Sequence, residues 1–373
     1  MNGATADGIR LSAQVNRVPS MRVALDAREE KRFRGLVEES VMMDLHEHPM
    51  VLPENTDDFV EYLRRGKYEW GYDAAKHGGW TVIATGNGFR GMVNSPELSY
   101  IAFNDLVDEV GMMIVDAGKR DDVLLVGRAT DVTRAKQQGR VGLLPTVEHL
   151  AIGDVLHRVD VLYALGVRMA GLTYNLQSAA GSGLRARHDA GLSEFGNEVV
   201  RRMNDVGMAI DLSHAGFRTA MDAIERSRTP ILFSHNAAYS LRPTWRTRRD
   251  EELLACAAKG GLVAITAVPN SLSDDPSQDI RCVLDHYDYM VKLVGVDHVA
   301  VGTDTLIGDH VGFHCKMLGS DRATLPAAYL DGLESPADGQ NIIRGLITRG
   351  YSDDEVRKIV GGNALEFLRR VAG

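Results

Sequence analysis

Val41-Met42-Met43-Asp44-Leu45-His46-Glu47-His48 is a short apolar run that stops on a cluster of acids and imidazoles. Read outward through the 373 residues, the same event recurs. Apolar runs stand at 41–45, 81–85, 141–147, 169–173, 208–212, 230–234, 262–268 and 299–303. A strand covered on both faces of a parallel sheet is written this way, as a continuous run and not an alternation. Stretches of helical period separate the runs, at 58–65, 97–117, 152–165, 193–206, 218–227, 250–259 and 280–294, with 341–348 and 355–371 closing the set. Gly166, Gly207, Gly260 and Gly295 follow four of them as terminators. Eight strand-helix alternations predict an α/β fold, a single (β/α)8 TIM-type barrel with small accessory excursions, over two doubly wound domains. A ninth run, 122–126, is placed as an accessory hairpin or excursion between the second and third strands. Residues 1–37, with one helical stretch near 25–36, are expected to be an N-terminal lead-in, and 38–373 the barrel.

The formal charge is −9, from 42 Lys+Arg against 51 Asp+Glu, and 44% of residues are hydrophobic. Such a chain can bury a large core, which excludes disorder and collagen. Without a basic stripe it has no footprint for nucleic acid, so the expected partner is a small-molecule substrate. No window approaches the roughly 18 apolar residues of a membrane span, and the first twenty residues lack a secretory pattern. The expectation is a cytoplasmic chain that does not engage the membrane. Cys256, Cys282 and Cys315 form no Cys-x-x-Cys pair and are expected to be inert thiols.

In such a barrel the chemistry sits where the strands end. The first run ends in His46-Glu47-His48, the third in Glu148, the fourth in Tyr174-Asn175, the fifth in Ser213-His214, the sixth in Ser234-His235 and the eighth in Thr303-Asp304. His46 and His48 alternate along a strand, so both face one way and suit a single ion at Zn–N distances of about 2.0–2.1 Å. His214 and His235, from adjacent strands, suit a second. Glu148 offers two oxygens and a negative charge between two dications, which fits a bridge. Asp304 suits a proton acceptor for activated water or a last ligand. A lone His-x-His is weak evidence, since hydrogen-bonded structural histidines are common. Agreement among five strand ends is what argues for two divalent ions, with zinc expected.

Other patterns are set aside. Gly86-Asn87-Gly88-Phe89-Arg90-Gly91 matches a dinucleotide fingerprint, but no helix opens at it, so it reads as a turn. His310 and His314 are spaced for one helix face, yet Gly308 and Gly312 favour a loop that lines the pocket or does nothing. His149 and His157 are expected to be solvated, and Trp70, Trp80 and Trp245 to line a pocket or to pack, with packing favoured.

Taken together, Gly191-Leu192-Ser193 through Phe195-Gly196, Asp211-Leu212-Ser213-His214, Phe233-Ser234-His235 and the His298-Val299 to Gly302-Thr303-Asp304 run resemble the membrane (renal) dipeptidase family, peptidase M19, of the amidohydrolase superfamily. The likeness extends from about Val41 to the Gly361-Gly362-Asn363-Ala364 turn. It implies a metal-dependent hydrolase, a dipeptidase cleaving small dipeptides that carry a free C-terminal carboxylate, through a hydroxide held by two metals. It implies that His46 and His48 hold the first zinc, that Glu148 bridges, that His214 and His235 hold the second, and that Asp304 is the catalytic acid/base. The substrate's carboxylate would fall to Arg246, followed by Thr247 where the family has Asn; Arg242, Arg248 and Arg249 leave that register open. Tyr174 stands where animal members place a His that contacts the carbonyl oxygen, and its phenol could donate the same hydrogen bond or form a wall. Asn175 is expected to bind substrate beside it. His48 replaces the family's Asp, which puts substrate preference in question and leaves metal binding intact. The resemblance further implies a homo-oligomer. Two other readings stay open: a superfamily enzyme acting on another amide, a lactone or an N-acyl amino acid, and a catalytically silent binding barrel.

Overall fold

The computed structural model describes residues 5–95 and 98–372. The eight barrel strands are β1 Met43–Asp44, β2 Val82–Ala84, β3 Val141–Leu144 continued past Pro145 by Thr146–Val147, β4 Met169–Gly171, β5 Ala209–Asp211, β6 Leu232–Asn236, β7 Leu262–Ile265 and β8 Val299–Val301. All pair in parallel, β1 with β2 and β8, and the ring closes where Thr146 lies opposite Met169. Every apolar run read as a strand is one. The hydrogen-bonded ladders are shorter than most of the runs, because the chain turns toward the mouth as soon as a polar residue arrives.

The ninth run is an accessory excursion between β2 and β3 and not a hairpin. Val123–Leu125 is a parallel strand on β3, in register Val123↔Val141, and the helix Ala129–Gln138 follows it. Its place has a physical cause. Because β4 starts opposite Thr146, the first half of β3 would be an open edge of unpaired N–H and C=O groups, and Val123–Leu125 covers it.

Helices ring the barrel. Several match the sequence reading closely, as with Ile280–Val294 and Glu194–Val206, the latter capped by Ser193 through Gly196 N–H. The stretch 152–165 shrinks to Arg158–Ala164, and the helix expected from 97 runs Phe103–Ala117, its expected start lying outside the described residues. The last helix breaks into Asp353–Arg357, a π turn at Lys358–Gly362 and Asn363–Ala372. Gly361 is pressed against β1, where a Cβ would sit 2.2 Å from the Val41 carbonyl oxygen.

The loop expected around His310 is a helix, His310–Leu318. Asp309 accepts a hydrogen bond from Gly312 N–H at 3.0 Å, and a cap of this kind, typically worth about 1 kcal/mol, offsets the cost of about 1 kcal/mol for one helical glycine. The described part of the lead-in is a Thr5–Ala6/Ile9–Arg10 hairpin and the helix Ala27–Glu39, whose Phe33 and Leu36 are buried. Arg344, from the helix Gln340–Thr348, lies 4.9 Å over the Phe33 ring. Among the described residues no helix is long and apolar enough to cross a membrane.

Candidate active site

The six strand-end residues meet at the C-terminal mouth. One ligand atom each from His46, His48 and Glu148 lies within 4.8 Å of the others, and the same holds for Glu148, His214 and His235. Glu148 belongs to both groups. Its Oε1 is 3.9 Å from His46 Nε2 and 3.3 Å from His214 Nε2, and its Oε2 is 3.9 Å from His48 Nε2. Asp304 Oδ1 is 3.2 Å from His48 Nε2, while Oδ2 is 3.9 Å from His235 Nε2. Asp304 also holds a φ of +54°, an uncommon backbone state for a residue with a Cβ.

His46 and His48 reach the cluster by a route other than strand alternation. β1 ends at Asp44, whose Oδ1 accepts from His46 N–H at 3.0 Å and from Thr303 N–H at 3.0 Å. The chain bends there, and His48 opens a separate short strand, His48–Val51, paired with Leu306–Ile307. The two rings end 5.0 Å apart and nearly perpendicular. Gly86 makes room for them: a Cβ there would lie 3.0 Å from His46 Nε2 and 3.1 Å from His48 Cε1.

The imidazoles are oriented from behind. His214 Nδ1 lies 2.9 Å from Asn175 Oδ1, an acceptor, so the ring proton is on Nδ1 and Nε2 carries a lone pair. Ser234 Oγ donates to Asp211 Oδ2 at 2.5 Å and therefore accepts from His235 Nδ1 at 2.7 Å, which leaves a second lone pair on His235 Nε2. These two Nε2 atoms are 3.1 Å apart. Two lone pairs at that distance repel, yet two nitrogens bound tetrahedrally to one zinc stand about 3.3 Å apart. His46 Nε2 is buried without a hydrogen-bond partner. The donor set fits divalent cations.

Its electrostatics agree. Burial, aided by neighbouring positive charge, holds His214 and His235 well below the ordinary imidazole range, and brings His46 to about 3. Burial pushes Glu148 up to about 8, with the Asp304 charge adding to it. Burial would raise Asp304 as well, but the His48 hydrogen bond and the His46 and His48 charges hold it below the usual carboxylate value. Burial would depress His48, and the Asp304 hydrogen bond with the Glu148 and Asp304 charges lifts it to about 9 instead. A dication at the cluster would invert this balance.

A cavity of about 300 Å³ opens on the cluster. On the His214 side stand Arg246 and Tyr174. The Tyr174 ring stacks on His214 at 4.2 Å. Arg246 donates to the Ser213 carbonyl at 2.8 Å and to Asn236 Oδ1 at 3.3 Å, and its Nη2 is 3.1 Å from His214 Nε2. The other arginines of the segment are engaged elsewhere. Arg248 is buried on Glu252 and the Leu212 and Ser213 carbonyls, Arg242 pairs with Asp274, and Arg249 lies over Phe217 and Tyr239.

The structure corrects three side readings. His149 is buried, not solvated, because the chain turns inward after Glu148, whereas His157 is exposed. Trp245 is 51% exposed on the cavity rim, in contrast to the packed Trp70 and Trp80. His310 and His314 line the cavity from a helix. Asp211, Ser234 and Gly86 were assigned no role in the sequence. The signal that could have found Asp211 and Asp44 is an acid closing an apolar run two residues ahead of a residue whose N–H it then accepts.

Fold and mouth define the class, a (β/α)8 barrel of the amidohydrolase type. The description "Membrane dipeptidase (Peptidase family M19)" matches residues 30–373, and the chain belongs to that family. Over 256 residues it is 30% identical to dipeptidase tcpJ of Claviceps purpurea (strain 20.1), an alignment that covers 67% of this chain and 56% of that protein. The chain thus spans little more than half the length of that relative. An amidohydrolase from Pseudomonas aeruginosa superposes with a TM-score of 0.77 at 26% identity, covering 91% of this chain and 98% of that one. A metallo peptidase from Rhodobacter sphaeroides, solved with a phosphinate mimic of the dipeptide L-Ala-D-Ala, shares the fold with a TM-score of 0.70 at 18% identity, covering 89% and 100%.

Proposed function

We propose that this chain is a metal-dependent amide hydrolase, a dipeptidase acting on small dipeptides with a free C-terminal carboxylate. The observation that carries the reading is the shared carboxylate: Glu148 stands between two histidine pairs at the mouth of a cavity whose wall holds Arg246. His46, His48 and Glu148 would hold one divalent ion, and Glu148, His214 and His235 a second, with zinc the best match to an imidazole-rich set. Bound there, the ions supply Lewis-acid polarisation and an acidified water.

The chain's own residues do the rest. Arg246 is braced by the Ser213 carbonyl and Asn236, so its guanidinium is held ready to take the substrate carboxylate and set the amide over the cluster. Tyr174, fixed by its stack on His214, donates its phenolic proton toward the carbonyl oxygen. Asn175 lines the cavity, where it would meet substrate, and it also orients the His214 ring. Asp304 takes the water's proton on a carboxylate oxygen and returns it to the leaving amine.

Asp304→Asn tests this. Asn keeps the shape and tolerates a positive φ, so the backbone is spared. Expected is a loss of about 10²–10⁴ in kcat with metal content still near two per chain by elemental analysis. Turnover at the wild-type rate would remove Asp304 from the chemistry, and a panel in which lactones react and dipeptides do not would remove the dipeptidase reading.

A further inference from the structure

The cavity has two unlike ends. Arg246 and Tyr174 lie against His214, in the group formed with His235 and Glu148. The other end begins at His48, where Phe89 stacks on the imidazole at 4.5 Å, and Phe313 follows at 5.1 Å from Phe89. Val311 and Met317, on the helix Asp309 caps, extend this wall. Phe313 is itself braced edge-on by Phe59 at 5.0 Å, so the wall is packed from behind and does not depend on a ligand for its shape.

An amide whose carboxylate sits on Arg246 and whose carbonyl lies over Glu148 can run its acyl half past His48 onto this wall. The charges there are few. Of the residues lining the cavity, the carboxylates are Glu148 and Asp304, both already within the histidine cluster, and the polar groups at the far end include His310 and His314. Phe89, Val311 and Phe313 are buried and Met317 is half-buried, so the wall is a preformed apolar surface, and each Å² it still shows to water gains about 25 cal/mol when a ligand covers it. A glycyl residue has no side chain to meet it.

We propose that the acyl half of the substrate is a large apolar group, aromatic or branched aliphatic, seated against Phe89, Val311, Phe313 and Met317. This rests on the amide-hydrolase reading and narrows it to a substrate class: an α-amino acid with a free carboxylate, amide-linked to a bulky hydrophobic acyl group. That group can be the N-terminal residue of a dipeptide or the chain of an N-acyl amino acid, since both present the same surface to the wall.

The test uses the zinc-loaded enzyme and three substrates with a common leaving residue, Gly-Ala, Phe-Ala and N-(3-phenylpropanoyl)-alanine, the last being Phe-Ala without its amine. Expected is a kcat/KM for Phe-Ala about 10²-fold above Gly-Ala, in the range hydrophobic pockets achieve. Turnover of the desamino compound within tenfold of Phe-Ala supports the wider class. Its loss, with the Phe-Ala preference intact, supports the class in its dipeptide form. Met317→Asp should cut the Phe-Ala to Gly-Ala ratio at least tenfold, and a ratio taken within one protein is not imitated by partial unfolding. Val311→Asp gives a second, independent ratio. Equal turnover of Gly-Ala and Phe-Ala, or a ratio that neither variant moves, overturns the proposal and leaves the hydrolase reading standing. No cleavage of any of the three by metal-loaded enzyme overturns both.

Discussion

Ser234 stands between an acid and an imidazole, and each of its contacts fixes the next. Its proton goes to Asp211, so its lone pair must take the His235 Nδ1 proton, and His235 Nε2 is left bare toward the cluster. Ser234→Ala removes that acceptor. Contacts of this kind are worth about 10–100-fold in metal affinity, and the loss should fall on the ion between His214 and His235 while the other ion keeps its affinity, as read by competition with a chelator. Gly86→Ala should give the opposite pattern. At φ +39° and 3.0 Å from His46 Nε2, its methyl group pushes on the first pair; backbone strain of about 1–3 kcal/mol is added. Elemental analysis should find about one ion per chain in place of two, the His46/His48 ion being the one lost. The difference between the two variants also explains what the sequence could show. His46, Glu148, His214, His235 and Asp304 are legible because each ends an apolar run, a local event. Ser234 takes its direction from Asp211 on the neighbouring strand, and Gly86 acts on His46 and His48 across the mouth, so their roles appear only once the strands are side by side. Asn175 was read as a substrate contact from its motif, and its link to His214 spans 39 positions.

Elements explain the remaining differences between sequence and structure. The barrel was legible because eight buried strands leave eight apolar runs, and no other arrangement of that alternation closes a sheet so simply. The helix His310–Leu318 was hidden because its stability comes from one side-chain cap and from burial of Val311 and Phe313, neither of which a glycine count registers. What the sequence does not show is that residues before the barrel strap it. Arg17 donates to Glu334 at 2.7 Å, and Met21 N–H to Asp331 at 2.6 Å, across more than 300 positions. The strap carries a pH dependence. Burial lifts Glu334 to about 7 from an ordinary 4.5, against the pull of Arg17. The folded state therefore holds a proton that the unfolded state has released between those values, so this group's contribution is fully present below about pH 4.5 and is lost as pH rises through about 7. Glu334→Gln cannot ionise. Thermal melts of the two proteins should show the variant gaining on the wild type as pH rises from 4.5 to 7; parallel curves would mean Glu334 titrates at its ordinary value.

At the scale of the whole molecule, the donor cluster and the closed barrel are one event. His46 and Asp304 follow β1 and β8, Glu148 follows β3, His214 follows β5 and His235 lies in β6, so no continuous stretch of chain holds more than two of the donors. The unfolded chain cannot assemble the set, and ions that bind the folded state alone must stabilise it by mass action. Free metal at a hundred times its dissociation constant contributes about 2.7 kcal/mol per site, or about 5 kcal/mol for two. For a chain of this length that is a rise in Tm on the order of 5 °C. Stripping with a chelator and adding zinc back should recover the shift in two increments, and Ser234→Ala and Gly86→Ala should each recover the increment of the site they leave intact. A stripped protein that melts where the loaded one does would show that the cluster binds no ion tightly enough to matter. The site would then have to be explained by Glu148 and Asp304 paired with His48 alone, an arrangement that leaves His46 Nε2 buried with nothing to bond and the Nε2 atoms of His214 and His235 3.1 Å apart with only Arg246, among the described residues, to donate between them.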